Sequence, residues 1–97
     1  MTASYPVIVA VIPALDEERA IFTVVERLRA AVPELERVIV VDNGSTDATA
    51  ARAEAAGATV VAGASCGYGR AWRAGLEAAG AVDVVFLVGG DGADDVA

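Results

Sequence analysis

Val38-Ile39-Val40-Val41-Asp42-Asn43-Gly44-Ser45-Thr46-Asp47-Ala48-Thr49 carries the fold in miniature. Residues 38–41 are uninterrupted β-branched aliphatics with no polar face, the pattern of a strand covered on both sides in a parallel sheet. Asn43-Gly44-Ser45 is turn chemistry. The Ala-rich segment from Thr46 to Ala56, closed by Gly57, reads as a helix.

The same unit recurs on either side. Upstream, Val7 to Ile12 form a second β-branched run, ended by Pro13. Asp16, Glu17 and Glu18 then open a segment in which Ile21, Val24, Val25, Leu28 and Val32 recur at helical spacing. The acids stand where they favour the helix dipole, and Pro33 is the stop. Downstream, Thr59 to Val61 reads as a short strand, Ala71 to Ala79 as a helix ending at Gly80, and Val84 to Val88 as a further strand. Alternation of this kind predicts an α/β fold: a Rossmann-like, three-layer α/β/α arrangement around a mostly parallel sheet. Ligands of such sheets sit beyond the carboxyl ends of the strands, so the segments after Ile12, Val41, Val61 and Val88 are expected to meet at one crevice.

Composition narrows the function. With 56% hydrophobic but only 5% aromatic residues, the core of this 97-residue chain must be aliphatic, and the length suits one domain. The net charge of -7, with all seven basic residues being scattered arginines, disfavours nucleic acid and anionic lipid as partners. Cys66 is the single cysteine and there is no histidine, which excludes an intrachain disulfide and the usual zinc ligand sets. No basic leader precedes the apolar run from Val7 to Leu15, which is far too short to span a bilayer, and a cytoplasmic location is expected.

Four stretches carry candidate chemistry. Ile12-Pro13-Ala14-Leu15-Asp16-Glu17-Glu18 is either a helix-starting acidic turn or a nucleotide cradle at a strand end. In the second stretch, Asn43, Ser45 and Asp47 have ready uses in turns and caps. Asp42, which no cap or turn requires, is placed to accept a hydrogen bond from a base N–H. Gly67-Tyr68-Gly69-Arg70-Ala71-Trp72-Arg73-Ala74-Gly75 is a glycine-rich helix entry that departs from the dinucleotide fingerprint at Trp72. Its Arg70 either faces a diphosphate or is simply exposed. Val88-Gly89-Gly90-Asp91-Gly92-Ala93-Asp94-Asp95 places three carboxylates after a buried strand, oxygen ligands of the kind Mg²⁺ or Mn²⁺ takes; the alternative is a solvated acidic turn.

In this order and at these spacings the four stretches resemble the family-2 glycosyltransferases of GT-A fold, especially the dolichyl-phosphate mannose or glucose synthase-like branch. Members of that family carry I-P-x-x-N-E-E, V-V-D-[DN]-G-S-T-D-x-T, a G-x-G-x-A loop and D-x-D-G-x-D-D-P. The resemblance covers nearly the whole chain. It implies inverting transfer of a sugar from a UDP- or GDP-sugar, with Mg²⁺ or Mn²⁺, to an acceptor such as a polyprenyl phosphate. Carried over by position, Pro13, Leu15, Glu17, Val40, Asp42, Gly90 and Asp91 correspond to nucleotide-binding positions and Asp91 to the metal ligand. No catalytic residue is assigned. Asp16 stands where Asn is usual, Gly89 where the first Asp of D-x-D is expected, and Val96 where Pro is usual.

The resemblance further implies that residues 1–97 are one partial domain, the nucleotide-sugar-binding half of a GT-A enzyme. An acceptor half lies elsewhere, and an exposed sheet edge invites self-association. The alternative is a non-catalytic nucleotide-binding or interaction module with a degenerate D-x-D; a nucleotidyltransferase fits less well, lacking the Gly-rich basic loop after Ile12.

Overall fold

The aliphatic runs form the strands of one parallel sheet in the computed structural model, which describes residues 7–63, 68–82 and 84–87. In chain order the elements are β1 (Ile8–Ala14), α1 (Ile21–Ala31), β2 (Leu35–Asp42), α2 (Thr49–Ala55), β3 (Thr59–Ala62), α3 (Tyr68–Ala79) and β4 (Val84–Leu87). The sheet order is β3-β2-β1-β4, with every neighbouring pair parallel. The chain thus moves outward from β1 through β2 to β3, then crosses back to place β4 on the other side of β1.

Alternation along the strands divides the core into two layers. Ala10, Ile12, Ala14, Val38 and Val40 face one way and bury Ile21, Val24, Val25 and Leu28 of α1 and Ala53 of α2. Val9, Val11, Ile39 and Val41 face the other way and receive Ala71 and Ala79 of α3, with Trp72 and Ala74 packed beside them. Helices therefore cover both faces, as the polarity-free strands require. Each fully buried Val or Ile contributes roughly 1.5–3 kcal/mol by leaving water, and the buried members of both clusters among the described residues are aliphatic.

The second layer depends on a missing side chain. A Cβ at Gly75 would stand 2.2 Å from Val11 Cγ1 and 3.2 Å from Val41 Cγ2, so only glycine lets α3 lie this close to the sheet. At the other end of that helix, Arg37 of β2 donates from Nη2 to Ala79 O at 2.7 Å and from Nη1 to Ala78 O at 3.4 Å. A cation there satisfies carbonyls that the helix end leaves without partners.

Several boundaries differ from the sequence-based expectation. Pro13 does not end β1, which continues to Ala14. Ala14 O accepts from Asn43 N–H on the β2 side, so the neighbouring Pro13 nitrogen faces away from β2 and its missing donor costs no bond of the β1–β2 ladder. β2 starts at Leu35 rather than Val38, and α3 at Tyr68 rather than Ala71. The acids at 16–18 are not in the first turn of α1, which begins at Ile21 and contains none. Likewise α2 begins at Thr49 rather than Thr46. No helix among the described residues is long and apolar enough to cross a membrane.

Candidate functional site

Ala14, Asp42 and Ala62 lie side by side at the carboxyl ends of β1, β2 and β3. The last described residue of β4, Leu87, pairs with Val11, so β4 runs toward the same edge. Because the chain order reverses across β1, the switch point lies between the ends of β1 and β4, where open α/β sheets bind ligands.

Two loops rim this edge, and they are interlocked. Three successive N–H groups after β1 are donated to side chains after β2: Asp16 to Ser45 Oγ (2.8 Å), Glu17 to Thr49 Oγ1 (2.8 Å) and Glu18 to Asp47 Oδ2 (3.3 Å). The exchange is reciprocal. Thr46 N–H donates to Asp16 Oδ1 at 2.8 Å, its hydroxyl to the same oxygen at 3.3 Å, and Ala48 N–H to Glu18 Oε1 at 3.0 Å. Below these bonds Asn43, almost wholly buried, donates its N–H to Ala14 O at 2.8 Å.

These bonds change how the loop after β1 works. A backbone cradle for phosphate needs unspent N–H groups, and those of residues 16–18 are already taken by Ser45, Thr49 and Asp47. Five carboxylates, Asp16, Glu17, Glu18, Asp42 and Asp47, also crowd this side of the edge, which repels a diphosphate. The amides of residues 16–18 are thus committed to the β2 side and do not form a phosphate cradle in this conformation. The acids of this loop serve as partners for the β2 loop rather than for the dipole of α1.

Asp42 is also corrected in part. A turn does use it, since its Oδ1 accepts Ser45 N–H at 3.0 Å in the manner of an Asx turn. Its Oδ2 accepts no hydrogen bond among the described residues. The structural uses read for Ser45 and Asp47 are found. Asp47 takes the Thr49 hydroxyl and, at 3.0 Å, the Thr49 N–H. The bond from the Thr49 hydroxyl, with further help from backbone N–H groups, holds the Asp47 carboxyl below its ordinary value of 3.8.

The remaining sequence-based candidates separate by burial. Pro13 and Val40 are fully buried, so their side chains shape the floor of the edge without reaching into it. Leu15 is 49% exposed, an unusual position for a large aliphatic, and Glu17 is half-buried beside it. Arg70 is exposed on the first turn of α3. Gly63, after β3, donates its N–H to Asp42 O at 2.8 Å. A Cβ there would come within 2.8 Å of Asn43 Oδ1, which is why the β3 end packs so tightly on the β2 loop. Gly67, Gly89, Gly90, Asp91, Asp94 and Asp95 lie outside the described residues.

Sequence reasoning missed the role of Asp16, Glu18, Thr46 and Thr49 as the clasp between the loops. The available signal was the density of Ser, Thr and Asp in two segments that follow adjacent parallel strands. Among the described residues no three His, Cys, Asp or Glu side chains group so as to hold a metal ion.

Comparison with known proteins identifies the family. The model of the family described as Glycosyl transferase family 2 matches residues 9–95. An uncharacterized glycosyltransferase of Mycobacterium tuberculosis is 41% identical over 88 residues, which cover 91% of this chain and 38% of that protein. The crystal structure of M. tuberculosis glucosyl-3-phosphoglycerate synthase superposes with a TM-score of 0.76 at 36% identity, covering 89% of this chain and 35% of that one. The same enzyme in complex with Mn²⁺, UDP-glucose and phosphoglyceric acid gives a TM-score of 0.74, with 88% and 33% covered. The chain thus spans little more than a third of the length of these relatives.

Proposed function

This chain belongs to glycosyl transferase family 2, and from that premise we propose that it forms the nucleotide-sugar-binding half of a GT-A glycosyltransferase that uses a UDP-sugar. The observation that carries the reading is the interlocked rim at the carboxyl edge of β1 and β2. It leaves Asp42 Oδ2 without a partner among the described residues, beside an exposed Leu15. An acceptor next to apolar surface suits a pyrimidine base, whose ring face is apolar and whose imide N–H donates. In this reading Asp42 Oδ2 accepts that N–H, Leu15 and Glu17 border the base and ribose, and Pro13 and Val40 form the floor.

The diphosphate then points away from this acidic rim, toward the segment that follows β4. The acids of the rim do not fit a metal, because among the described residues no three of them group so as to hold one, and Asp16, Glu18 and Asp47 each accept backbone N–H groups of the opposite loop. The acidic stretch that follows β4 in sequence supplies oxygen donors of the kind these cations take, and Asp91 is the ligand we assign to Mg²⁺ or Mn²⁺, with Gly90 beside it at a nucleotide-binding position. The cation supplies positive charge against the departing nucleoside diphosphate. This half of the fold contributes binding and orientation of the donor.

The relatives refine the remaining choices. A solved relative binds UDP, UDP-glucose, Mn²⁺ and phosphoglyceric acid, and another of its crystals holds Mg²⁺ and UDP. UDP is therefore preferred to GDP. As acceptor we propose a small phosphorylated hydroxy acid in place of a polyprenyl phosphate, and the glucosyl-3-phosphoglycerate synthase type in place of the dolichyl-phosphate branch. An active donor site is favoured over a degenerate, non-catalytic module.

Calorimetric titration of UDP into the chain with Mn²⁺ tests the base contact. Asp42→Asn keeps an oxygen for Ser45 N–H but replaces the second acceptor with a donor. Loss of roughly 1–3 kcal/mol of binding is expected. Binding equal to that of the unsubstituted chain removes Asp42 from the base site.

A further inference from the structure

Asp16 is the one described non-glycine residue with positive φ, at 51°. An L-residue in that left-handed region costs roughly 1–2 kcal/mol unless its side chain secures the turn, and Asp and Asn are among the few that do. Asp16 secures it from both ends. Its N–H goes to Ser45 Oγ and its Oδ1 takes the N–H and hydroxyl of Thr46, all across to a loop some thirty positions away in sequence.

We propose that Asp16 is a positioning residue for nucleotide binding, acting as an uncharged-type acceptor that fixes the β1 loop on the β2 loop and so holds Leu15 and Glu17 at the crevice. The inference rests on the donor-site reading given above. Every partner of the Asp16 side chain is a hydrogen-bond donor that carries no charge, a backbone N–H and a hydroxyl. The work done at position 16 thus needs an oxygen at Oδ1 and tolerance of positive φ, and it does not need a negative charge. A carboxylate used for metal or for proton transfer requires the charge. These two roles are separable by substitution.

Three substitutions divide the contributions. Asp16→Asn retains both the acceptor oxygen and the left-handed preference. Asp16→Gly retains only the backbone freedom. Asp16→Ala retains neither. The readouts are the UDP dissociation constant in Mn²⁺ by calorimetry, exchange protection of the Thr46 amide, and the thermal midpoint.

The expected result is Asn binding UDP within about twofold of the unsubstituted chain. Gly is expected to be weaker by roughly threefold to tenfold, as for loss of the Oδ1 acceptor and its two bonds from Thr46, and Ala weaker still by a similar factor. Thr46 protection should fall in Gly and Ala but not in Asn. The Gly variant should keep its thermal midpoint within a few degrees, so that its loss of affinity does not reflect unfolding.

Equal affinity in all three variants overturns the positioning role while leaving the donor-site reading intact. Loss of binding in Asn as severe as in Ala also overturns it, since the charge would then be what matters. Absence of UDP binding by the unsubstituted chain overturns the donor-site reading and this inference with it.

Discussion

The two sides of β1 and β2 are held by opposite means. Toward α3 the contact is volume: Gly75 sits where any side chain would strike Val11, and the helix settles on a smooth aliphatic surface. At the carboxyl edge the contact is direction. Six hydrogen bonds join the loops after β1 and β2, and each uses a backbone N–H or hydroxyl of one loop and a side-chain oxygen of the other. Apolar packing fixes where an element lies, but it leaves loop shape loosely specified. Directional bonds fix loop shape, which is what a binding rim needs. The difference predicts that damage to the α3 side lowers stability, whereas damage to the rim lowers ligand affinity out of proportion to stability.

The largest effect is expected at Gly75. Gly75→Ala forces a methyl into Val11 and should destabilise by about 3 kcal/mol, at the upper end of overpacking. Denaturant unfolding measures it, and UDP affinity of the fraction still folded should be nearly unchanged. A neutral substitution would break the close-approach account of α3.

Thr49→Val comes next. The buried hydroxyl links Glu17 N–H to the Asp47 carboxylate, and an isosteric methyl removes the acceptor for that N–H and one of the donors to Asp47, which keeps the N–H groups of Thr49 and Glu18. A loss of about 2 kcal/mol is expected, with a drop in UDP affinity measured by titration under native conditions. If affinity falls no more than for a Gly75 variant of equal stability, the contrast between the two seams fails.

Arg37→Ala removes the cap on α3 and should cost about 1 kcal/mol in a thermal melt, with no change in UDP binding. The smallest effect concerns pH. The Asp47 carboxyl is held below its ordinary value by the Thr49 hydroxyl, so the unfolded chain binds that proton more readily than the folded one. The resulting stabilisation is fully present above the ordinary value of 3.8 and is lost as pH falls through the lower folded value. Asp47→Asn should flatten that part of the stability profile, as followed by unfolding midpoints across the acid range.

Much of the fold was legible because burial on both faces leaves a mark in the strands: Val38 to Val41 and Val7 to Ile12 admit no polar residue. The ends of elements were not. Arg37 is in β2 through its pairing with Val9, and Glu36 sits at the register shift before it; neither pairing nor register leaves a trace in local composition. The turn of residues 46–48 that precedes α2 donates the N–H groups of Thr46 and Ala48 to Asp16 and Glu18, partners about thirty residues away. Asp42 was visible as a carboxylate at a strand end; its bond to Ser45 is a local turn contact that sequence reasoning missed, whereas the clasp around Asp16 exists only once β1 and β2 are adjacent. The first two family motifs fall on the two loops that interlock, while the contacts inside them depend on the tertiary meeting of those loops.

Amide chemical-shift mapping of UDP with Mg²⁺ tests the central claim, that the interlocked carboxyl edge is the donor site. The account predicts saturable shifts at Leu15 to Glu18 and Asp42 to Thr46, with Leu35 to Arg37 at the opposite end of the sheet unmoved. Shifts confined to that opposite end, or none at millimolar UDP, would contradict it.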